Sequence, residues 1–200
     1  MDTSTSGSPS RAAAAAITSA RDEVMTNAVV ATWPRKILTL LLLRDQGRVL
    51  LGLKKRGFGK GKWNGFGGKL EPNETVPQAA VREMQEESGL TVAGIEERGV
   101  LIFEMRGDRN ILEVHVFSAA SWTGALCESD EMEPRWWAEA EIPFERMWID
   151  DVHWFPLFLR DAFFRGHFIF AGHEDLLSVN LQEFTREMYV AHSFPPASTS

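Results

Sequence analysis

The chain has 200 residues, 44% hydrophobic and 24% charged, enough apolar material for one globular domain with a sizeable core. A formal net charge of −7 excludes a protein whose main task is gripping nucleic-acid backbone, which needs a cationic surface. No apolar run reaches the roughly 18–20 residues that span a bilayer, and the single cysteine, Cys127, allows no intramolecular disulfide, in keeping with a reducing interior.

Residues 1–34 read as a flexible extension. Residues 1–10 are rich in Ser, Thr, Gly and Pro, and 12–16 are alanine. Arg11 and Arg21 beside Ala and Ser have the look of an organelle leader; Asp2, Asp22 and Glu23 argue against one, because such leaders are poor in acids. Met25 is a candidate alternative start. Residues 35–190 form the expected domain, and 191–200 a loose tail.

The domain opens with two apolar runs, Lys36–Leu43 and Arg48–Leu53, separated by Asp45-Gln46-Gly47; they predict a β-hairpin. Lys54–Gly68 follows, with six glycines in fifteen residues, a composition for tight turns or close approach of a ligand. Its cationic side chains, Lys54, Lys55, Arg56, Lys60 and Lys62, interleave with Phe58, Trp63 and Phe66; most of these lysines read as solubilising. A helix is predicted over 76–88. Thr75 and Gln78 make a capping-box pair, Pro77 falls in the first turn, and Gly89 is placed to end the helix. Strands are expected at Gly99–Glu104, Glu113–Ala119 and Arg135–Ala138. A second helix, capped by Asp150 or Asp151, is expected to run to about Phe163, with strands at Gly166–Ala171 and Leu177–Leu181 after it. Strands and helices mix without a regular βαβ alternation, which points to the α+β class.

The first helix carries the chemistry. Glu83, Glu86 and Glu87 are spaced i, i+3 and i+4 and share one face. Like charges at that spacing cost a helix about 0.2–0.5 kcal/mol per pair. A hard divalent cation such as Mg²⁺, which prefers oxygen ligands, would turn that cost into a binding site. On its own a Glu-x-x-Glu-Glu run is more often a solvated acidic face.

The surrounding residues reverse that balance. Gly68, Glu74, Arg82-Glu83, apolar Met84, Glu86-Glu87, Gly89 and apolar Leu90 match the Nudix box at nine defined positions over 23 residues. The chain thus resembles the Nudix family. The resemblance implies a mixed β-sheet sandwiched between α-helices, and Mg²⁺-dependent hydrolysis (Mn²⁺ as an alternative ion) of a nucleoside diphosphate linked to a further group. The likeness extends over about Lys36–Phe184 to the MutT-type members that sanitise oxidised purine nucleoside triphosphates. It rests there on Lys54-Lys-Arg-Gly-Phe-Gly, Trp63-Asn-Gly-Phe-Gly-Gly-Lys69, Glu128-Ser-Asp-Glu-Met132 and Trp148-x-Asp150-Asp151.

Carried over position by position, the resemblance implies metal ligation by Glu83, Glu86, Glu87, Glu131 and the Gly67 carbonyl, with Arg82 orienting a glutamate. Glu87, Glu86 and Glu131 are all candidates to take the proton from water. Substrate contacts are implied at Thr39, Lys54, Asn64, Phe66, Gly67, Gly68, Lys69, Phe103, Met132, Trp148, Ile149, Asp150 and Asp151, with Trp148 stacking on the purine. Two adjacent carboxyls in an aromatic pocket cannot easily both ionise, so one pKa of the Asp150–Asp151 pair should rise. The plainer reading of either residue is a helix cap. Leu38, Met105, Leu112 and Ile149 depart from the MutT-type pattern beside the pocket and bear on the preference among bases. The implied partner is a small nucleotide handled by a monomer, with no polymeric nucleic acid and no membrane. The cytoplasm is the expected location, and a mitochondrial or nuclear pool is compatible. The alternatives are a Nudix hydrolase of methylated purine triphosphates, ADP-ribose or dinucleotide polyphosphates, and a catalytically silent nucleotide-binding module. Intact Glu83, Glu86 and Glu87 argue against silence.

Overall fold

The computed structural model describes residues 33–172 and 174–191; the readings of the N-terminal extension and of the C-terminal tail fall almost wholly outside them. Strand β1 (Arg35–Asp45) turns through Gln46-Gly47 into β2 (Arg48–Lys54), the expected hairpin. The turn suits its residues, since both Gln46 and Gly47 take positive φ, at 48° and 74°. Then come β3 (Trp63–Asn64), α1 (Val76–Ser88), β4 (Leu90–Met105), β5 (Ile111–Gly124), β6 (Met132–Ala138), α2 (Asp151–Leu159), β7 (Phe163–Ala171), β8 (Asp175–Phe184) and α3 (Arg186–Ala191).

The strands form one mixed sheet in the order β3-β2-β1-β5-β4-β7-β8, with β6 paired to β2. β1–β5 and β4–β7 are parallel and the other pairs antiparallel. Strand β1 is buried on both faces, with Leu40–Leu43 at most 8% exposed. Its pleat sends alternate residues to opposite sides. Leu40 and Leu42 join Trp154, Phe155 and Phe158 of α2 in one core. Leu41 and Leu43 join Ala80 and Met84 of α1 in the other. Helices therefore cover both faces, and the α+β sandwich stands.

Several boundaries differ from the sequence reading. The second helix ends at Leu159 rather than near Phe163. Asp161 takes a left-handed φ of 58°, its N–H bonds to the Phe158 carbonyl, and Phe163 is released to start β7. Strands β4 and β5 run well past the apolar segments expected to bound them, because their outer ends pair with each other from Leu90↔Gly124 inward. Strand β6 begins at Met132, not Arg135, since Lys54↔Met132 extends its pairing with β2, and β8 extends from Asp175 to Phe184 through its ladder with β7. Helix α3 was not anticipated; its short pattern carries no periodic signal. Helix α1 has the expected limits. The Thr75 N–H and hydroxyl donate to Gln78 Oε1, and Gly89 is left-handed at φ 78° with its N–H on the Gln85 carbonyl.

His115 of β5, to which the sequence assigned nothing, is clamped between two carboxylates. Its ring nitrogens lie 2.6 Å from Glu97 and 3.1 Å from Glu113. Arg35 donates to Glu113, and the Tyr189 hydroxyl of α3 donates to Glu97 at 2.6 Å. Burial alone would lower the imidazole pKa; the hydrogen bonds to Glu113 and Glu97 outweigh it and hold it up at about 9. A folded pKa above the unfolded value near 6.5 means a stabilising contribution that is complete below about pH 6.5 and lost as pH rises through about 9. Urea unfolding of wild type and His115→Gln should therefore diverge least at pH 9.5 and most near pH 6.5, by roughly 2–3 kcal/mol. A difference that does not change across this window would show that His115 carries no proton-linked stability.

Candidate active site

Helix α1 presents its glutamates to a stretch, 65–69, that lies along β1. Leu41 and Phe66 exchange backbone bonds, and Thr39 N–H donates to the Gly68 carbonyl at 2.9 Å. The Gly68 N–H points to the Thr39 hydroxyl at 3.4 Å. Between these, Gly67 turns its N–H to Glu87 Oε2 at 2.9 Å. The glycines are required by space. A Cβ on Gly67 would strike the Thr39 carbonyl, and one on Gly68 would strike the Glu83 carboxylate.

The three helix glutamates sit in unequal surroundings. Glu87 is 4% exposed, and burial lifts its pKa to about 7 despite the Gly67 N–H and the Lys54 charge. Burial also raises Glu83, against the opposing pull of Arg82. Glu86 is mainly exposed. Arg82 ties the group together. Its Nε and Nη2 each donate to one Glu74 oxygen at 2.9 Å, its Nη1 meets Glu83 and Glu86 at 3.0 Å, and Nη2 also reaches the Lys69 carbonyl at 3.1 Å. Glu74, hydrogen-bonded by Arg82, has its pKa lowered. This bidentate pair is a fixed strut between the 65–75 loop and α1.

Glu131 arrives from the loop before β6. Lys54, at the end of β2, places its ammonium in close contact with Glu131 and 3.4 Å from Glu87. That hydrogen bond lowers the Glu131 pKa. The structure thus puts Lys54, counted among the substrate contacts by the resemblance, at the carboxylates. Among the described residues no three His, Cys, Asp or Glu side chains converge as a cation would require. Lys54 and Arg82 stand among the carboxylates.

A second group of residues forms at the start of α2. Asp150 and Asp151 are 5% and 2% exposed. Neither caps the helix with its side chain as the plainer reading expected. Instead Asp150 accepts from Trp154 Nε1 at 3.1 Å, and Asp151 accepts the Trp148 N–H at 2.9 Å. Burial raises Asp150 to about 6, and burial together with the Asp150 charge raises Asp151 well above the usual carboxylate range. Trp148 stacks on Phe58 of the glycine-rich loop, with ring centres 4.8 Å apart and planes 24° apart. The Lys62 ammonium lies 4.9 Å from the Trp148 ring centre. Phe58, Lys62 and Trp154 are neighbours the sequence reading missed. An aromatic residue and a cation inside a glycine-rich loop were the available signal.

The remaining expected residues make contacts of their own. Asn64 Oδ1 accepts the Gly65 N–H at 2.9 Å, and Phe103 stacks on Phe168 at 5.4 Å. Ile149 is exposed. Phe66 and Met132 are buried in the α1-side core, both beside the space that a Cβ on Gly52 would fill. No helix among the described residues is long and apolar enough to cross a membrane.

Comparison with known proteins places this geometry. Residues 33–158 match the model of the NUDIX domain. The chain is 51% identical over 148 residues to an oxidized purine nucleoside triphosphate hydrolase of Danio rerio, covering 74% of this chain and 95% of that protein. The protein of the same name from Mus musculus is 47% identical over the same coverage. Among solved structures, the MutT mutator protein of Bacillus halodurans superposes with a TM-score of 0.66 at 28% identity, over 73% of this chain and 97% of its own.

Proposed function

The chain belongs to the Nudix family of hydrolases, and we propose that it hydrolyses oxidised purine nucleoside triphosphates, such as 8-oxo-dGTP and 2-oxo-dATP, to the monophosphate and pyrophosphate. The observation that carries the base preference is the pair of buried carboxyls, Asp150 and Asp151, directly beside Trp148. An aromatic face with adjacent hydrogen-bonding groups of adjustable protonation suits a purine whose edge has gained an oxo group.

Nudix hydrolases use a divalent cation, and the donor atoms here are of the kind such an ion takes. Glu83, Glu86, Glu87, Glu131 and the Gly67 carbonyl are all oxygen donors, and Glu87 is a buried carboxylate of raised pKa that a cation would stabilise. We assign the ion as Mg²⁺. Bound, it supplies neutralisation of the phosphate oxygens and lowers the pKa of water. The residues of the chain do the rest. Glu87, Glu86 or Glu131 accepts the proton of the attacking water, in a cluster that titrates as a unit. Arg82, locked onto Glu74, holds Glu83 and Glu86 in orientation. Gly68 lets the backbone approach Glu83 of the helix, and Gly67 lets it lie against Thr39 of β1, without a side chain intervening. Trp148 orients the base, and Asp150 with Asp151 reads its edge. Removal of oxidised purines at the monophosphate level keeps them out of DNA. The reading needs only a single chain.

The test is direct. Purified protein with Mg²⁺ is given 8-oxo-dGTP, 2-oxo-dATP, dGTP and ADP-ribose at equal concentration, and pyrophosphate and monophosphate release are measured. The two oxidised triphosphates should show the highest kcat/KM. Preference for dGTP, or turnover of ADP-ribose alone, would reject the sanitising reading and leave only the family.

A further inference from the structure

The candidate centre already holds a cation of its own. Lys54 Nζ bridges Glu87 and Glu131, two carboxylates that come from α1 and from the loop before β6. Its position is built. The Lys54 N–H donates to the Lys62 carbonyl at 2.9 Å, the Gly61 N–H to the Lys54 carbonyl at 2.8 Å, and the Lys55 N–H to the Glu131 carbonyl at 2.8 Å. Residue 54 is thereby fixed between the glycine-rich loop and Glu131. Its side chain is 18% exposed, and that of Glu87 5%. A carboxylate so buried is costly without a partner, and an ammonium lowers that cost.

A divalent ion on Glu87 and Glu131 would lie against the Lys54 ammonium, which already occupies Oε1 of both carboxylates. Two positive groups cannot share them at contact distance without strong repulsion. Resting on the reading of this centre as a metal site, we propose that Lys54 is a resident counter-cation that metal must displace. Displacement frees the ammonium at the end of β2, beside the glycine-rich loop, where it becomes available to the polyphosphate. Metal loading and phosphate capture are then one coupled event, and Lys54 acts as a positioning residue in the first and a ligand in the second.

Two measurements without nucleotide test this. Mn²⁺ titration followed by electron paramagnetic resonance should show Lys54→Met binding the ion more tightly than wild type by about tenfold, the size of one lost competing charge contact. Amine labelling of wild type, read by mass spectrometry, should show Lys54 protected in metal-free protein and several-fold more reactive with Mn²⁺, while Lys36 stays unchanged. Equal or weaker Mn²⁺ binding by Lys54→Met would overturn the proposal, and so would labelling of Lys54 that Mn²⁺ does not alter. The labelling needs no variant, so a misfolded Lys54→Met would not leave the matter open. Neither readout depends on which nucleotide is cleaved, so failure of the nucleotide panel and failure of this proposal are separate results.

Discussion

Replacing Glu87 by glutamine is expected to lower turnover by about 10²–10⁴-fold, the range for removing a group that ligates or moves a proton at the reacting centre. The same change should leave the fold intact. Glu87 is 4% exposed and its pKa is held up at about 7 by burial, so the protein already pays little to keep it neutral near pH 7. Glutamine has nearly the same volume and its carbonyl can accept the Gly67 N–H now given to Glu87 Oε2. What it lacks is the charge. Thermal unfolding of the metal-free variant should therefore match wild type within a few degrees, while kcat on 8-oxo-dGTP and the affinity for Mn²⁺ both fall. Retained turnover would remove Glu87 from the centre. A collapse of the melting temperature would instead mark it as structural.

Asp150→Asn should redistribute activity among bases rather than abolish it. Asp150 and Asp151 are both raised, Asp150 to about 6, so the pair retains a proton close to neutral pH. A protonated carboxyl donates and an ionised one accepts, so the pair can present either pattern to a purine edge by moving that proton. An amide cannot make that exchange. The ratio of kcat/KM for 8-oxo-dGTP over 2-oxo-dATP should shift by about ten- to 10²-fold, the cost of one mispaired buried hydrogen bond. The sign of the pH effect follows from the raised values. Protonation of the wild-type pair increases as pH falls through about 6, so its substrate ratio should change there. A substrate ratio unchanged from wild type at every pH would dismiss the exchange.

How far these predictions were legible in the chain depends on the range of the interactions behind them. Helix α1 was readable to the residue, because Thr75, Gln78, Pro77 and Gly89 act within a turn of where they stand. The clustering of Glu83, Glu86 and Glu87 followed from 3.6-residue periodicity alone. The reach of β4 and β5 was not readable. Their outer ends hold through pairing such as Val92↔Trp122 between segments distant in sequence, without a strong apolar signal in either. The same holds for His115, an ordinary strand residue until β4 brings Glu97 beside it.

The sequence by itself determined the helix that carries the glutamates, through residue identity at short fixed spacing, and its motif resembles the Nudix box closely enough to point to the family. Only the tertiary structure decided the environments that set their chemistry. It buried Glu87 while leaving Glu86 in solvent, and it turned the Asp150 and Asp151 carboxylates to Trp154 and Trp148 instead of to a helix cap. It also carried Lys54 across 33 residues to Glu87 and 77 to Glu131. The physical reason is that desolvation and charge contact depend on what the whole chain packs around a group, and one-dimensional spacing carries no record of that.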